Sequence, residues 1–163
     1  MLKVISYKSG GFTLIELIVV VAIVAVLSGL ILFSVTQYIN KSKDSNISAN
    51  LAILIPAGEV YYNTEDANYG DGYNGFCDPL RNSVISNALS QMPSNPDGNI
   101  GCGNSVGFCC AVDTTNHQSW AACVKEFANS SMAYCVDSRG VKKDIDNSYC
   151  LNQIGGQTAF KCQ

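Results

Sequence analysis

The N-terminal part of the chain contains a long run without charged residues, from Leu17 to Asn40. Val, Ile, Leu and Ala fill most of the positions up to Val35. A helix of about 20 apolar residues is long enough to cross the hydrocarbon core of a bilayer. The pattern therefore predicts a membrane-spanning helix over residues 12–35.

The pattern changes at Gln37, beyond which polar residues are common and apolar residues recur every three or four positions. The recurring positions are Ile47, Leu51, Leu54, Gly58 and Tyr61 or Tyr62. This spacing is typical of an amphipathic helix that packs on a sheet. We therefore expect one helix over 12–62, with an amphipathic half at 36–62. At Pro56, where a backbone hydrogen bond is missing, we expect it to bend, or to end and restart.

The remaining residues, 63–163, are predicted to form a small globular head. Polar and glycine-rich residues at 63–75 predict a loop. Apolar spacing over 78–91, with Pro79 near the start, predicts a short helix. Two prolines and a glycine at 92–98 predict a turn-rich link.

Three short apolar runs follow, at 106–112, 119–127 and 132–137. Polar turn residues separate them, so they predict an antiparallel meander. The tail from Asp144 to Gln163 has no such pattern and is expected to be irregular. A long helix followed by a small antiparallel sheet belongs to the α+β class.

All eight cysteines lie beyond Tyr73. They are Cys77, Cys102, Cys109, Cys110, Cys123, Cys135, Cys150 and Cys162. An even number of cysteines confined to a small exported region predicts disulfides. Zinc binding is the rival interpretation, but the sequence has no Cys-x-x-Cys pair and only one histidine, His117.

The position of each hairpin turn decides which cysteines lie opposite each other on neighbouring strands, and two such pairs can form. If the second hairpin is centred on Asn129, Cys123 lies opposite Cys135. If the first hairpin is centred on Asn116, Cys109 lies opposite Cys123. Opposed residues have Cα atoms about 4.5–5.5 Å apart, which is within disulfide reach. Because Cys123 cannot join both pairs, Cys123–Cys135 is the favoured one.

Composition and spacing argue against several functional classes. The formal net charge is −3, whereas electrostatic binding to nucleic acid over a broad surface needs clustered Lys and Arg. The acidic residues Glu65, Asp66 and Asp71 fail the EF-hand spacing, because Asp71 occupies the position of the required glycine. His117 has no nucleophile at a catalytic spacing. No nucleic-acid partner, cofactor, metal or catalytic residue is predicted.

The most specific feature is the heptapeptide Gly-Gly-Phe-Thr-Leu-Ile-Glu at 10–16. A leader containing Lys3 and Lys8 precedes it, and the apolar run follows it. A carboxylate such as Glu16 near the end of a membrane helix is unfavourable unless it has a partner. These residues resemble the cleavage and methylation site of type IV pilins and type II secretion pseudopilins, with the same features in the same order.

The resemblance implies a type IV pilin-like fold and a processing pathway. A prepilin peptidase would cut between Gly11 and Phe12, removing the leader 1–11, and the new amine of Phe12 would be N-methylated. Lys3 and Lys8 would keep the leader in the cytoplasm by the positive-inside rule, which places the head outside. The subunit would first cross the inner (cytoplasmic) membrane once. It would then join an extracellular pilus or a periplasm-spanning filament.

The implied partners are further copies in a helical homopolymer, the peptidase and methyltransferase, the membrane, and an assembly platform with its ATPase. In the filament core, Glu16 would face the positive Phe12 amine of a neighbouring subunit, since a buried charge is tolerated when it is paired. As in many pilins, a disulfide near the C-terminus, here Cys150–Cys162, would close an exposed loop. The cysteines left to pair among themselves would be Cys77, Cys102, Cys109 and Cys110.

Other functions share parts of this pattern. Type II secretion pseudopilins and competence or minor pilins have the same N-terminus and are the first alternatives. A signal peptide cut near Ser28, and a membrane-anchored exported enzyme or binding domain, fit the motif less well. Asn46 and Asn129 each begin the Asn-x-Ser acceptor pattern of N-glycosylation. That pattern is common by chance, so no modification is predicted from it.

Overall fold

The computed structural model describes residues 11–65, 68–70, 75–93, 107–156 and 158–163. It contains two compact units that meet between Tyr38 and Ile39. Residues 1–10 of the predicted leader, Cys102, residues 66–67 and 71–74 of the predicted loop, and residues 94–98 of the predicted turn-rich link lie outside the described residues.

One helix, α1, runs over Leu14–Thr64 and contributes to both units. This confirms the predicted long helix, and Pro56 lies inside it without ending it. In the first unit, the described side chains of the apolar run are exposed. By length and composition, the helix is long and apolar enough to cross a membrane. Its hydroxyl groups bond to their own backbone: Ser28 Oγ, for example, donates to the carbonyl of Val24 at 2.7 Å.

The second unit contains a four-stranded antiparallel sheet in the order β1-β2-β3-β4. The strands are β1 Phe108–Val112, β2 Trp120–Lys125, β3 Met132–Asp137 and β4 Lys142–Asp146. The first three confirm the predicted meander. The fourth was not predicted, and its residues from Asp144 onward were expected to belong to an irregular tail. In this Lys-Lys-Asp-Ile-Asp strand only Ile145 is buried, because β4 is an edge strand with charged side chains.

Helix α2, Ser83–Gln91, is shorter than the predicted helix 78–91. Asn82 ends the preceding turn and caps the helix, because its Oδ1 accepts hydrogen bonds from the backbone N–H groups of Val84 and Ile85. Within that turn, Asp78 Oδ1 accepts a hydrogen bond from Leu80 N at 2.8 Å. Pro79 therefore belongs to the turn and not to the helix.

The face of the sheet that carries Trp120 packs against α1. The apolar residues that recur at helical spacing on α1 form a stripe on one face of the helix. Three of them, Ile47, Leu51 and Leu54, are fully buried in one cluster with this tryptophan, as their spacing predicted. Gly58 continues the stripe, and a Cβ atom there would lie 2.7 Å from Trp120 Nε1. The glycine therefore allows the helix and sheet to approach closely.

The opposite face of the sheet is covered by the C-terminal segment, which the sequence did not predict. This segment contains the short helix α3, Asn147–Tyr149, followed by a π-helical turn, Cys150–Ile154. Ile154 and Cys162 are buried there against Ala121 and Ala133. Strand β2 is consequently buried on both faces, and the unit has three layers.

The third layer also corrects the predicted disulfides. Both hairpin registers were right, since Cys123 lies opposite Cys135 and also opposite Cys109. However, side chains stand roughly perpendicular to a sheet, so these sulfurs point toward the layer that covers them. Cys123 is bonded to Cys150 and Cys135 to Cys162, in place of the expected Cys123–Cys135 and Cys150–Cys162.

A further disulfide joins Cys77 to Cys110 and ties the turn before α2 to β1. This pair belongs to the group of four cysteines that were expected to pair among themselves. Cys109 is also disulfide-bonded.

Candidate assembly site at the N-terminus

The first turn of α1 is held by reciprocal hydrogen bonds between Thr13 and Glu16. Thr13 Oγ1 accepts a hydrogen bond from the Glu16 backbone N–H at 3.3 Å. Glu16 Oε2 accepts from the Thr13 backbone N–H at 2.8 Å and from the Thr13 hydroxyl at 2.7 Å. This is a capping box, with Thr13 at the N-cap and Glu16 three residues later.

Sequence reasoning missed the part played by Thr13. The signal was present, because Thr-x-x-Glu before an apolar run is the pattern of a capping box. The box gives Glu16 a first function within its own chain: it fixes the carboxylate at the positive end of the helix, where negative charge is favourable.

The capping box also leaves part of the carboxylate available. Both hydrogen bonds from Thr13 go to Oε2, and no described residue donates to Oε1. No described residue forms an ion pair with Glu16. A fixed carboxylate oxygen at the start of an apolar helix therefore has no cationic partner within the part of the chain that the structure describes.

Gly11 and Phe12 lie just before the helix, in backbone without regular structure. Phe12 is 85% exposed, and a Cβ atom on Gly11 would meet nothing within 4 Å. Packing within the described chain therefore does not explain the glycine. The Gly11–Phe12 peptide bond joins two exposed residues and lies outside the helix.

Residues 7–32 match the family model of the prokaryotic N-terminal methylation motif. The chain carries this N-terminal motif. The match confirms the resemblance recognised from residues 10–16 and the apolar run that follows them. It covers the N-terminal part of the chain, so the head is not assigned by it.

The chain is also similar to two proteins from Dichelobacter nodosus, each named a probable minor fimbrial protein. Identity to each is 34% over 90 residues, which cover 55% of this chain and 55% of the relative. The match thus spans about half the length of these curated relatives. No solved structure matches the chain significantly.

His117, the histidine in the head, makes contacts that hold two segments of the head together. It adopts a left-handed backbone conformation with φ of 57°. Its Nδ1 lies 3.2 Å from the carbonyl oxygen of Gly70, and its own carbonyl accepts a hydrogen bond from Tyr69 N at 2.9 Å. These contacts hold the segment around Tyr69 against the β1–β2 turn.

Proposed function

We propose that the chain is a structural subunit of a type IV pilus-like filament and assembles through its N-terminal helix. The observation that carries this proposal is the state of Glu16, a fixed carboxylate with one free oxygen and no cation among the described residues. The methylation motif around it supports the same function.

In the proposed pathway, a prepilin peptidase cuts between Gly11 and Phe12 and removes the leader 1–11. The new amine of Phe12 is N-methylated and keeps its positive charge. On assembly, this amine pairs with Oε1 of Glu16 in a neighbouring subunit. Inside an apolar core, a subunit out of register would leave both charges unpaired, so the pair also sets the axial position of each subunit.

The parts of the chain have distinct tasks in this proposal. Residues 12–35 cross the inner membrane before assembly and form the filament core afterwards. Residues 36–62 fasten the helix to the sheet, and residues 63–163 form the disulfide-bonded head on the filament surface. The partners are other copies of the chain, the peptidase and methyltransferase, and the assembly platform with its ATPase. The protein is not an enzyme and takes no cofactor.

A minor pilin, a competence pilin or a type II secretion pseudopilin is the alternative within the same group. The similarity to proteins named as probable minor fimbrial proteins favours a pilus over a secretion system. Overexpression of the chain distinguishes a major from a minor pilin, because a major pilin yields abundant long surface fibres and a minor pilin does not.

The central test is Glu16→Val in the full-length chain. We expect normal membrane insertion, normal cleavage and methylation, and loss of filaments, because the Phe12 amine has lost its partner. Intact mass of the membrane fraction reports loss of residues 1–11, gain of one methyl group and retention of the disulfides. Electron microscopy and sheared surface fractions report filaments.

Glu65→Ala is the matched control, since it removes an exposed carboxylate at the end of the same helix. It should leave filaments unchanged. Abundant filaments from Glu16→Val would overturn the assigned role of Glu16. An uncut leader, or a cut near Ser28, in the wild-type protein would overturn the processing pathway.

A further inference from the structure

We propose that Asn129 is a site of N-linked glycosylation that accepts a glycan from a polyprenyl-diphosphate-linked donor. The chain has Asn-x-Ser acceptor patterns at Asn40, Asn46 and Asn129, and the pattern alone does not distinguish them. The structure places the first two patterns inside α1 and the third in a turn between strands, and only the third has the geometry that the reaction needs.

Asn129 lies in the turn between β2 and β3, and Asn129, Ser130 and Ser131 are all exposed. The Ser131 hydroxyl donates a hydrogen bond to Asn129 Oδ1 at 2.7 Å. The Ser131 backbone N–H donates to the same oxygen at 3.2 Å. The amide nitrogen, Nδ2, donates no hydrogen bond to any described residue, so it is available to a donor molecule.

These contacts match the chemistry of the transfer. A bond forms between Asn129 Nδ2 and C1 of the first sugar, the bond between C1 and the diphosphate oxygen breaks, and one amide proton is released as the lipid diphosphate departs. An amide nitrogen is a weak nucleophile because its lone pair is delocalised into the carbonyl group. Two donors on Oδ1 stabilise the negative oxygen of the imidate form, in which the nitrogen is reactive.

Asn40 and Asn46 lack this arrangement because both lie inside α1, where residues two positions apart do not face each other. The Ser48 hydroxyl donates to the backbone carbonyl of Ser45 at 3.0 Å, and Asn46 Oδ1 accepts from Asn50 Nδ2 at 3.0 Å. Ile47, the middle residue of the pattern, is buried in the core. A transferase would have to unwind a packed helix to reach this position.

The turn at Asn129 presents its side chains without such unfolding. Its backbone is anchored on both sides: Phe127 N and Ala128 N donate to the Asp44 carboxylate, and Asn147 N donates to the Ser131 carbonyl at 2.8 Å. The acceptor residues project from this anchored frame on the disulfide-bonded head. The proposal requires that the head be exported, as in the proposed function, but it does not require filament assembly.

The test uses the full-length protein purified from membranes of its native source. After reduction and alkylation, trypsin releases residues 126–139 between Lys125 and Arg139. We expect this peptide to carry a glycan that electron-transfer fragmentation places on Asn129. Asn129→Gln and Ser131→Ala should each abolish the modification. Ser130→Ala keeps the acceptor pattern, and the double variant Asn40→Gln with Asn46→Gln removes only the two helical patterns, so both variants should retain the glycan.

Several outcomes would overturn the proposal: peptide 126–139 found only unmodified, a sugar located on Ser130 or Ser131, or equal loss in the Ser130→Ala and Ser131→Ala variants. The Ser131→Thr variant guards against a folding artefact, because threonine preserves both the hydroxyl and the acceptor pattern and should retain the glycan. The N-terminal peptide from the same digest reports leader cleavage. A failure of the glycosylation proposal is therefore distinguishable from a failure of pilin processing.

Discussion

Glu126 is a carboxyl group in an environment that disfavours its charge. Its partial burial, followed by the nearby carboxylates of Asp144 and Asp44, raises the pKa of Glu126 to about 7, and a hydrogen bond with Asp144 adds to the effect. Asp44 is itself held in place, since it accepts a hydrogen bond from Ala128 N at 2.9 Å. Lys43 Nζ lies over the ring of Phe127, 4.6 Å from its centroid.

This environment predicts how stability depends on pH. The pKa of Glu126 is about 7 in the folded chain and near the ordinary value of 4.5 when unfolded. The folded state therefore binds more protons between these values, so the free energy of unfolding falls as pH rises from about 4.5 to about 7. Glu126→Gln, which mimics the protonated group, should raise the midpoint of thermal unfolding at pH 8 and change it little at pH 4.

The measurement is thermal unfolding of the full-length protein in detergent, followed by the fluorescence of the single tryptophan, Trp120, which is fully buried. Glu65→Gln neutralises an exposed carboxyl group and serves as the control, with no pH-dependent gain expected. An equal rise for Glu126→Gln at both pH values would mean that burial of charge is not the cause.

The packing of α1 on the sheet depends on a residue without a side chain. A Cβ atom on Gly58 would lie 2.7 Å from Trp120 Nε1 and 3.0 Å from two ring carbons. Gly58→Ala gains about 1 kcal/mol of helix propensity, but overpacking typically costs about 1–3 kcal/mol. We expect a net loss of about 1 kcal/mol in the free energy of unfolding of the head, with a shift in Trp120 fluorescence.

Gly29→Ala is the matched control, because it makes the same change in the same helix where a Cβ atom meets nothing within 4 Å. Its effect on the unfolding of the head should be negligible. If Gly58→Ala instead stabilised the head, the close approach of helix and sheet would not be the reason for a glycine at this position.

The elements that the sequence predicted well are those with a clear apolar period. The stripe Ile47, Leu51 and Leu54 repeats at helical spacing, and both hairpin registers follow from turn residues at Asn116 and Asn129. Strand β4 was missed because it contains a single apolar residue, Ile145, and one residue cannot show an alternating pattern. The proposed assembly site at Glu16 was recognisable from a local motif, whereas the hydrogen bonds between Glu16 and Thr13 required the geometry of the helix start.

The covalent framework of the whole head could not be derived from the sequence, because it depends on a layer with no periodic pattern. The C-terminal segment crosses the sheet and places Cys150 and Cys162 over β2 and β3, each 27 residues from its partner. A buried carboxylate, Asp137, helps to fix this segment by accepting a hydrogen bond from Cys162 N at 3.0 Å. Arg139 adds a hydrogen bond from Nη2 to the carbonyl of Cys162 at 3.2 Å.

This framework makes a prediction that peptide mapping without reduction can decide. Trypsin cuts after Lys125, Arg139, Lys143 and Lys161, so that Cys123, Cys135, Cys150 and Cys162 fall in four different peptides. We expect residues 126–139 to be linked to the dipeptide 162–163, and residues 82–125 to 144–161. Links from 82–125 to 126–139 and from 144–161 to 162–163 would contradict the three-layer arrangement, because they require the pairs Cys123–Cys135 and Cys150–Cys162.

The double variant Cys135→Ala with Cys162→Ala should lose about 3 kcal/mol of unfolding free energy, since it removes a constraint on a long loop of the unfolded chain. Single replacement of Cys162 should leave Cys135 as a free thiol and not move it to Cys123, since Cys123 remains bonded to Cys150.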